Sequence, residues 1–106
     1  MIKEVRHIGI VVTNMENSLK FYRDQLGLKI IKDMDEQGNY LDNMLSLNDV
    51  RVRTVKLSAN ENTTLVELLE FESHNDNKIR NFYTIGASHV AFTVDDIEKL
   101  YVNLSE

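Results

Sequence analysis

The 106-residue sequence contains no cysteine, which excludes disulfide bonds, thiolate metal ligands and a thiol nucleophile. It also has no apolar run approaching the roughly 18 residues of a membrane span, and no positively charged leader, so we expect a cytoplasmic protein. A glycine-rich phosphate loop and the G-x-S-x-G and H-E-x-x-H motifs are absent as well. The net charge of −5 argues against nucleic acid or an anionic membrane as partner. The length and the 42% apolar content are typical of one small globular domain.

The most informative feature that is present is a phrase that occurs twice. The segment HIGIVVTNME begins at His7, and the related segment HVAFTVDDIE begins at His89. Each copy has a histidine at the start of an apolar strand, followed by a polar cap and an amphipathic helix. Such a repeat is typical of a duplicated supersecondary unit. Two strands related in this way can bring their histidines to one central point, which would be the start of a metal site.

The hydrophobic periodicity predicts a βαβββ unit followed by the beginning of a second one. Strands are expected over 5–12, 28–33, 50–57, 63–71 and 88–94, and helical segments over 13–26, 40–45 and 97–104. A Thr13–Glu16 capping box predicts the start of the first helix, Gly27 its end, and Asp95 or Asp96 the cap of the last helix. Tyr22 and Tyr101 occupy helical stripe positions and are expected in the core.

These elements predict an α+β fold in which a curved mixed sheet carries helices on its outer face. The first βαβββ module is expected over 1–71, a connector over 72–87, and an incomplete second module (βα) over 88–106. The second module would end within its own first helix, which would leave the sheet with an unpaired edge.

The two repeat histidines are the first candidates for chemistry. A lone histidine on an apolar strand is more often a packed core residue than a ligand. The recurrence of His7 and His89 at one repeat position favours the ligand interpretation, because packing alone does not require the ring twice. Imidazole suits Zn²⁺, Ni²⁺, Fe²⁺ and Co²⁺. His74, in the polar connector, is expected to be an ordinary surface histidine.

Glu67 is the next candidate, because its strand face also carries Leu65, Leu69 and Phe71. A carboxylate among apolar side chains is costly to bury unless it is paired or bound to a metal. The alternative for Glu67 is an exposed carboxylate on an edge strand. Glu70 lies on the opposite face, and for this residue an ordinary carboxylate without a role in the site is the favoured interpretation.

Arg51 and Arg53 share a strand face with Val55 and Leu57. They are candidates for binding an anionic group of a substrate, although solvated strand arginines are more common.

Several segments together resemble the vicinal oxygen chelate superfamily, which groups glyoxalases, bleomycin and fosfomycin resistance proteins, methylmalonyl-CoA epimerase and extradiol dioxygenases. These segments are 7–12, 18–22, 26–28, 65–70 and 88–96. In motif they are most similar to lactoylglutathione lyase-like and methylmalonyl-CoA epimerase-like members. The resemblance implies paired βαβββ modules that form a curved sheet around a divalent metal.

In the lyase and epimerase branches, the first and last strands of each module supply the metal ligands. The resemblance therefore implies that His7, Glu67 and His89 bind a divalent metal such as Zn, Ni, Co, Fe or Mn. A carboxylate at position 67 favours these branches over the extradiol dioxygenases. The family's fourth ligand, a glutamate that often also acts as the catalytic base, would lie beyond Glu106. We therefore expect impaired activity or a homodimer in which a second chain completes the site.

The resulting hypothesis is a metal-dependent lyase or isomerase that acts on a small carbonyl or thioester substrate through an enediolate. Glu67 would be the catalytic base, and Arg51 and Arg53 would contact the substrate. The alternative is a metal-free protein that binds and sequesters a small drug-like molecule, as bleomycin resistance proteins do, and a third possibility is a structural remnant with neither activity. Metal content distinguishes the first two.

Overall fold

The computed structural model describes residues 1–76, 78 and 80–105, and they form two compact units, Met1–Asn75 and Asp76–Glu106. In the first unit the strands are β1 (His7–Val11), β2 (Lys29–Gln37), β3 (Arg51–Ser58) and β4 (Leu65–Phe71), and the helices are α1 (Met15–Leu19), which continues as a π-helix over Lys20–Gln25, and α2 (Asn39–Leu45). The second unit contains α3 (Ile97–Ser105). The predicted α+β class is confirmed. Asn77 and Ile79 of the predicted connector, and Glu106 at the end of the predicted second module, lie outside the described residues.

The four strands form one mixed sheet in the order β1-β4-β3-β2. β1 is parallel to β4, and β3 is antiparallel to both of its neighbours. The parallel pair joins the first and last strands of the module. Parallel neighbours need a long crossover connection, and the residues between β1 and β4 provide it. Along the register, Gly9 lies opposite Glu67, Glu67 opposite Lys56, and Lys56 opposite Lys32. These four residues therefore form one row across the sheet.

Helix α1 begins one residue later than the capping-box prediction. Asn14 is the N-cap, and its side-chain oxygen accepts a hydrogen bond from the Asn17 backbone N–H at 3.0 Å. Glu70 Oε2 accepts a second hydrogen bond, from the Met15 N–H at 2.7 Å. A carboxylate at this position satisfies a helix N–H that lacks an intrahelical partner and complements the helix dipole. Glu70 thus connects the helix to β4.

The core lies between α1 and one face of the sheet. Met15 and Leu19 supply the helix side, and Val55, Leu57, Val66 and Leu68 supply the sheet side. Tyr22 packs against this cluster as a half-buried side chain. The corresponding expectation for Tyr101 was wrong, because this tyrosine is 71% exposed.

The end of the first helix is wider than an α-helix. The Leu26 N–H donates to the Phe21 carbonyl at 2.9 Å, a five-residue step that defines a π-helical turn. Gly27 then adopts a φ of 79°, the left-handed conformation expected at a glycine that ends a helix. None of the described helices combines the length and the hydrophobicity needed to cross a bilayer.

The second copy of the repeat forms its helix but not its strand. Asp96 is the cap of α3, because its side chain accepts a hydrogen bond from the Lys99 N–H at 3.0 Å. The strand predicted over 88–94 was wrong, because this segment has no regular structure. A strand requires a neighbour for its backbone N–H and C=O groups. Within the described residues of Asp76–Glu106, α3 is the one regular element, so this unit offers no such neighbour.

Candidate functional site

The candidate site lies on the sheet face opposite α1. Side chains alternate between the two faces of a strand, and the helix packs on the face that carries Val55 and Leu68. The strand register therefore places His7, Lys56 and Glu67 together on the other face. Three adjacent strands each contribute one of these side chains.

His7 and Glu67, two of the three predicted metal ligands, lie close together. The distance from His7 Nε2 to Glu67 Oε2 is 3.8 Å. The Glu67 side chain is 14% exposed and that of His7 is 35% exposed. The mostly buried carboxylate therefore has an imidazole within reach, as expected for a carboxylate on an otherwise apolar strand face.

Lys56 is a third member of this cluster, and sequence reasoning missed it. Its Nζ atom lies 3.8 Å from Glu67 Oε2, and its side chain is 23% exposed. The lysine and the glutamate are direct cross-strand partners on β3 and β4. The sequence contains a signal for Lys56, which is the one charged residue on its face of β3, but its partner depends on the register.

Gly9 leaves space beside the carboxylate. It lies opposite Glu67 on β1, and a Cβ atom added to it would lie 3.2 Å from Leu69 Cδ1 and 3.9 Å from Glu67 Oε1. A side chain at position 9 would therefore crowd Leu69, whereas its contact with Oε1 would be an ordinary van der Waals contact. The glycine thus leaves room for the Leu69 side chain next to the carboxylate.

His89, the third predicted ligand, belongs to the second compact unit and is exposed. The strand expected to position it is not formed, so its role as a ligand stays a prediction. In the described part of the chain, no three histidine or acidic side chains are grouped so that they could hold a metal ion. His74 contacts its neighbour instead, with Nδ1 2.8 Å from Ser73 Oγ.

Arg53 contacts acidic side chains rather than facing the candidate site. Its Nε and Nη2 atoms donate to the two carboxylate oxygens of Asp33 at 3.0 and 2.8 Å, and Nη1 donates to Glu16 Oε1 at 2.8 Å. Arg51 and Arg53 lie on the α1 face, opposite Glu67, because they alternate with Val52 and Thr54 along β3. In the structure Arg53 joins β2 and β3 to the helix, and the substrate contact expected of Arg51 and Arg53 stays a prediction.

The Arg53–Asp33 contact also makes stability depend on pH. Hydrogen bonds from Arg53 lower the pKa of Asp33 below its ordinary value of 3.8; the positive charge of Arg53 adds to this, and partial burial opposes it. A lowered pKa in the folded state stabilises the protein above pH 3.8. This contribution is lost as the pH falls through the folded-state pKa.

We therefore expect Asp33→Asn to lower the free energy of unfolding by about 1 kcal/mol at pH 7, since the pair is bidentate but screened by solvent. The difference from the wild type should shrink as the pH falls below about 4, because the wild type loses the contribution of ionised Asp33 between the ordinary pKa and the lowered folded-state pKa. Urea unfolding followed by circular dichroism between pH 3 and pH 7 measures both effects. Glu61→Gln, in the exposed turn before β4, is the control and should stay within about 0.5 kcal/mol of the wild type at pH 7. A difference for Asp33→Asn that is constant over this pH range would contradict the prediction.

Comparison with known proteins identifies the family. The family model for the Glyoxalase/Bleomycin resistance protein/Dioxygenase superfamily matches residues 4–106. The chain belongs to this superfamily. The membership expected from the resemblance of segments across the chain is therefore confirmed.

Similar proteins agree with this assignment to the glyoxalase superfamily. An uncharacterized protein, YwkD of Bacillus subtilis (strain 168), is 31% identical over 109 residues, which cover 100% of this chain and 73% of that protein. A glyoxalase family protein from Bacillus cereus matches with a TM-score of 0.78 at 19% identity, covering 99% of this chain and 72% of that chain. The trypanothione-dependent glyoxalase I of Leishmania major matches with a TM-score of 0.70 at 22% identity, covering 98% of this chain and 66% of that chain. At these identities the two solved structures establish the fold alone.

Proposed function

We propose that this glyoxalase-superfamily chain is part of a metal-dependent lyase or isomerase that acts on a small carbonyl or thioester substrate. The observation that carries the proposal is the short distance of 3.8 Å between His7 Nε2 and Glu67 Oε2 on the sheet face opposite α1. Family membership adds support, because the match includes the strands that carry both residues.

The distance between the two atoms is compatible with a shared divalent ion. Histidine nitrogen binds such an ion at about 2.0–2.1 Å and carboxylate oxygen at about 2.0–2.2 Å, so two such donors on one ion are at most about 4.3 Å apart. The observed 3.8 Å is within this limit. One imidazole and one carboxylate also suit Zn²⁺, Ni²⁺, Co²⁺, Fe²⁺ or Mn²⁺. We therefore assign His7 and Glu67 as two ligands, and we propose His89 as the third.

The two oxygens of Glu67 have different surroundings and suit different roles. Oε2 faces His7 and Lys56, whereas Oε1 lies on the Gly9 side. A bound divalent metal would supply a Lewis acid that stabilises negative charge on substrate oxygens. In our proposal Oε2 is the ligand atom, and Oε1 accepts the proton from the carbon next to the substrate carbonyl. His7 then holds the shared ion, and the burial of Glu67 limits access of water to the carboxylate.

The test is metal binding by the purified chain. We expect isothermal titration calorimetry with Ni²⁺, Zn²⁺ and Co²⁺ to show about one ion bound per chain for at least one metal. His74→Ala, which removes a histidine outside the cluster, should bind with unchanged affinity. Failure of all three metals to bind would refute the proposal and leave the metal-free drug-binding alternative.

A further inference from the structure

We propose that Lys56 competes with the metal ion for Glu67 and thereby sets the metal affinity of the site. This inference rests on the proposed function, because it concerns the same carboxylate. Lys56 belongs to the site through its position on β3, directly opposite Glu67.

The competition follows from a single shared atom. Lys56 Nζ and His7 Nε2 both lie 3.8 Å from Oε2 of Glu67. An ion held jointly by His7 and Glu67 uses the carboxylate oxygen nearest to the imidazole, and that oxygen is the one beside the ammonium. The ion would approach this oxygen from the β1 side of β4 and the ammonium from the β3 side, so the two cations would compete for the charge of one carboxylate.

Burial makes this exchange energetically significant. The Glu67 and Lys56 side chains are only 14% and 23% exposed, so solvent screens their charges less than those of a surface pair. Without metal, the ammonium stabilises a carboxylate that is otherwise costly to bury. With metal, the same ammonium lies close to a divalent cation and is repelled by it. Both effects favour the metal-free form.

Lys32 explains why Lys56 is oriented toward Glu67 and also provides the control. It lies directly opposite Lys56 on β2, on the same face of the sheet. Like charges at opposed cross-strand positions repel each other. The repulsion directs the Lys56 ammonium toward β4, where the carboxylate of Glu67 lies. Lys32 is a lysine of the same face that is one strand further from Glu67.

The test compares the metal affinities of Lys56→Met, Lys56→Gln, Lys32→Met and the wild type by isothermal titration calorimetry with Ni²⁺ and Zn²⁺. We expect both Lys56 variants to bind at least about tenfold more tightly than the wild type, and Lys32→Met to stay within about threefold. In the metal-free state we also expect Lys56→Met to unfold at a lower urea concentration than Lys32→Met, because it leaves Glu67 without its ammonium partner. Circular dichroism establishes that each variant is folded.

The possible outcomes separate this inference from the proposed function. Equal or weaker metal binding by the Lys56 variants, with binding by the wild type, overturns the role of Lys56 and leaves the metal site intact. An equal gain in metal affinity in Lys32→Met also overturns the role of Lys56, because removal of any positive charge from this sheet face would then have the same effect. Failure of the wild type and of every variant to bind metal refutes both.

Discussion

His7→Ala and Glu67→Gln will each weaken the binding of Ni²⁺ or Zn²⁺ by at least about a hundredfold. Loss of a residue that merely orients a ligand already costs about 10- to 100-fold in affinity, and these two substitutions would remove or neutralise one of the ligands that we propose. In the structure, the two side chains lie on adjacent strands, diagonal to each other in the register, with Nε2 of His7 3.8 Å from Oε2 of Glu67. Isothermal titration calorimetry at fixed pH and ionic strength measures the change.

Two variants control for nonspecific effects on metal binding. His74→Ala removes a histidine whose ring contacts Ser73, and Glu72→Gln neutralises an exposed carboxylate immediately after β4. Both should retain the wild-type affinity. If His7→Ala and Glu67→Gln also retain it, the metal is bound elsewhere and the assignment of this pair is wrong.

Leu68→Ala will lower the free energy of unfolding by about 3 kcal/mol. Leu68 is 0% exposed in the centre of the core, between Met15 and Leu19 of α1 and the neighbouring strand β3. Truncation of a fully buried leucine removes its transfer free energy and leaves a cavity, which together cost about 2–5 kcal/mol. Urea unfolding followed by circular dichroism at pH 7 measures this loss.

The matched control for this prediction is Leu47→Ala. Leu47 is 38% exposed, and the same substitution there should cost less than about 1 kcal/mol. Similar losses in the two variants would show that the packing of α1 on the sheet is not the main source of stability of the first unit.

The elements of the first unit could be predicted because their local sequence signals agree with their tertiary contacts. The alternation along β1 and β4 and the stripe of Met15 and Leu19 each match a buried face. The extent of β2 was underestimated, since its polar second half gives no apolar signal. Pairing with β3 determines its length instead, as far as Gln37 opposite Arg51. Backbone hydrogen bonds to β3 therefore extend β2 through residues whose own strand propensity is low.

The candidate site was predictable only where a polar or charged residue interrupts the apolar pattern of its own strand. The repeated His7 and the carboxylate of Glu67 both stand out among apolar neighbours. Lys56 and the contacts of Arg53 depend on which strands are adjacent and in which register, and one sequence does not contain that information. The strand expected around His89 was wrong for a related reason, because its backbone groups need a partner strand.

The position of β1 at one end of the sheet has a consequence for the dynamics of the site. β1 carries His7 and is paired with β4, so it is an element expected to open in local fluctuations before the whole unit unfolds. An ion bound by His7 and Glu67 would act as a noncovalent cross-link between the first and last strands of the module. Opening of β1 would then require release of the ion. Metal binding would therefore slow the exchange of the β1 amide protons with solvent and couple it to the exchange of the core strands.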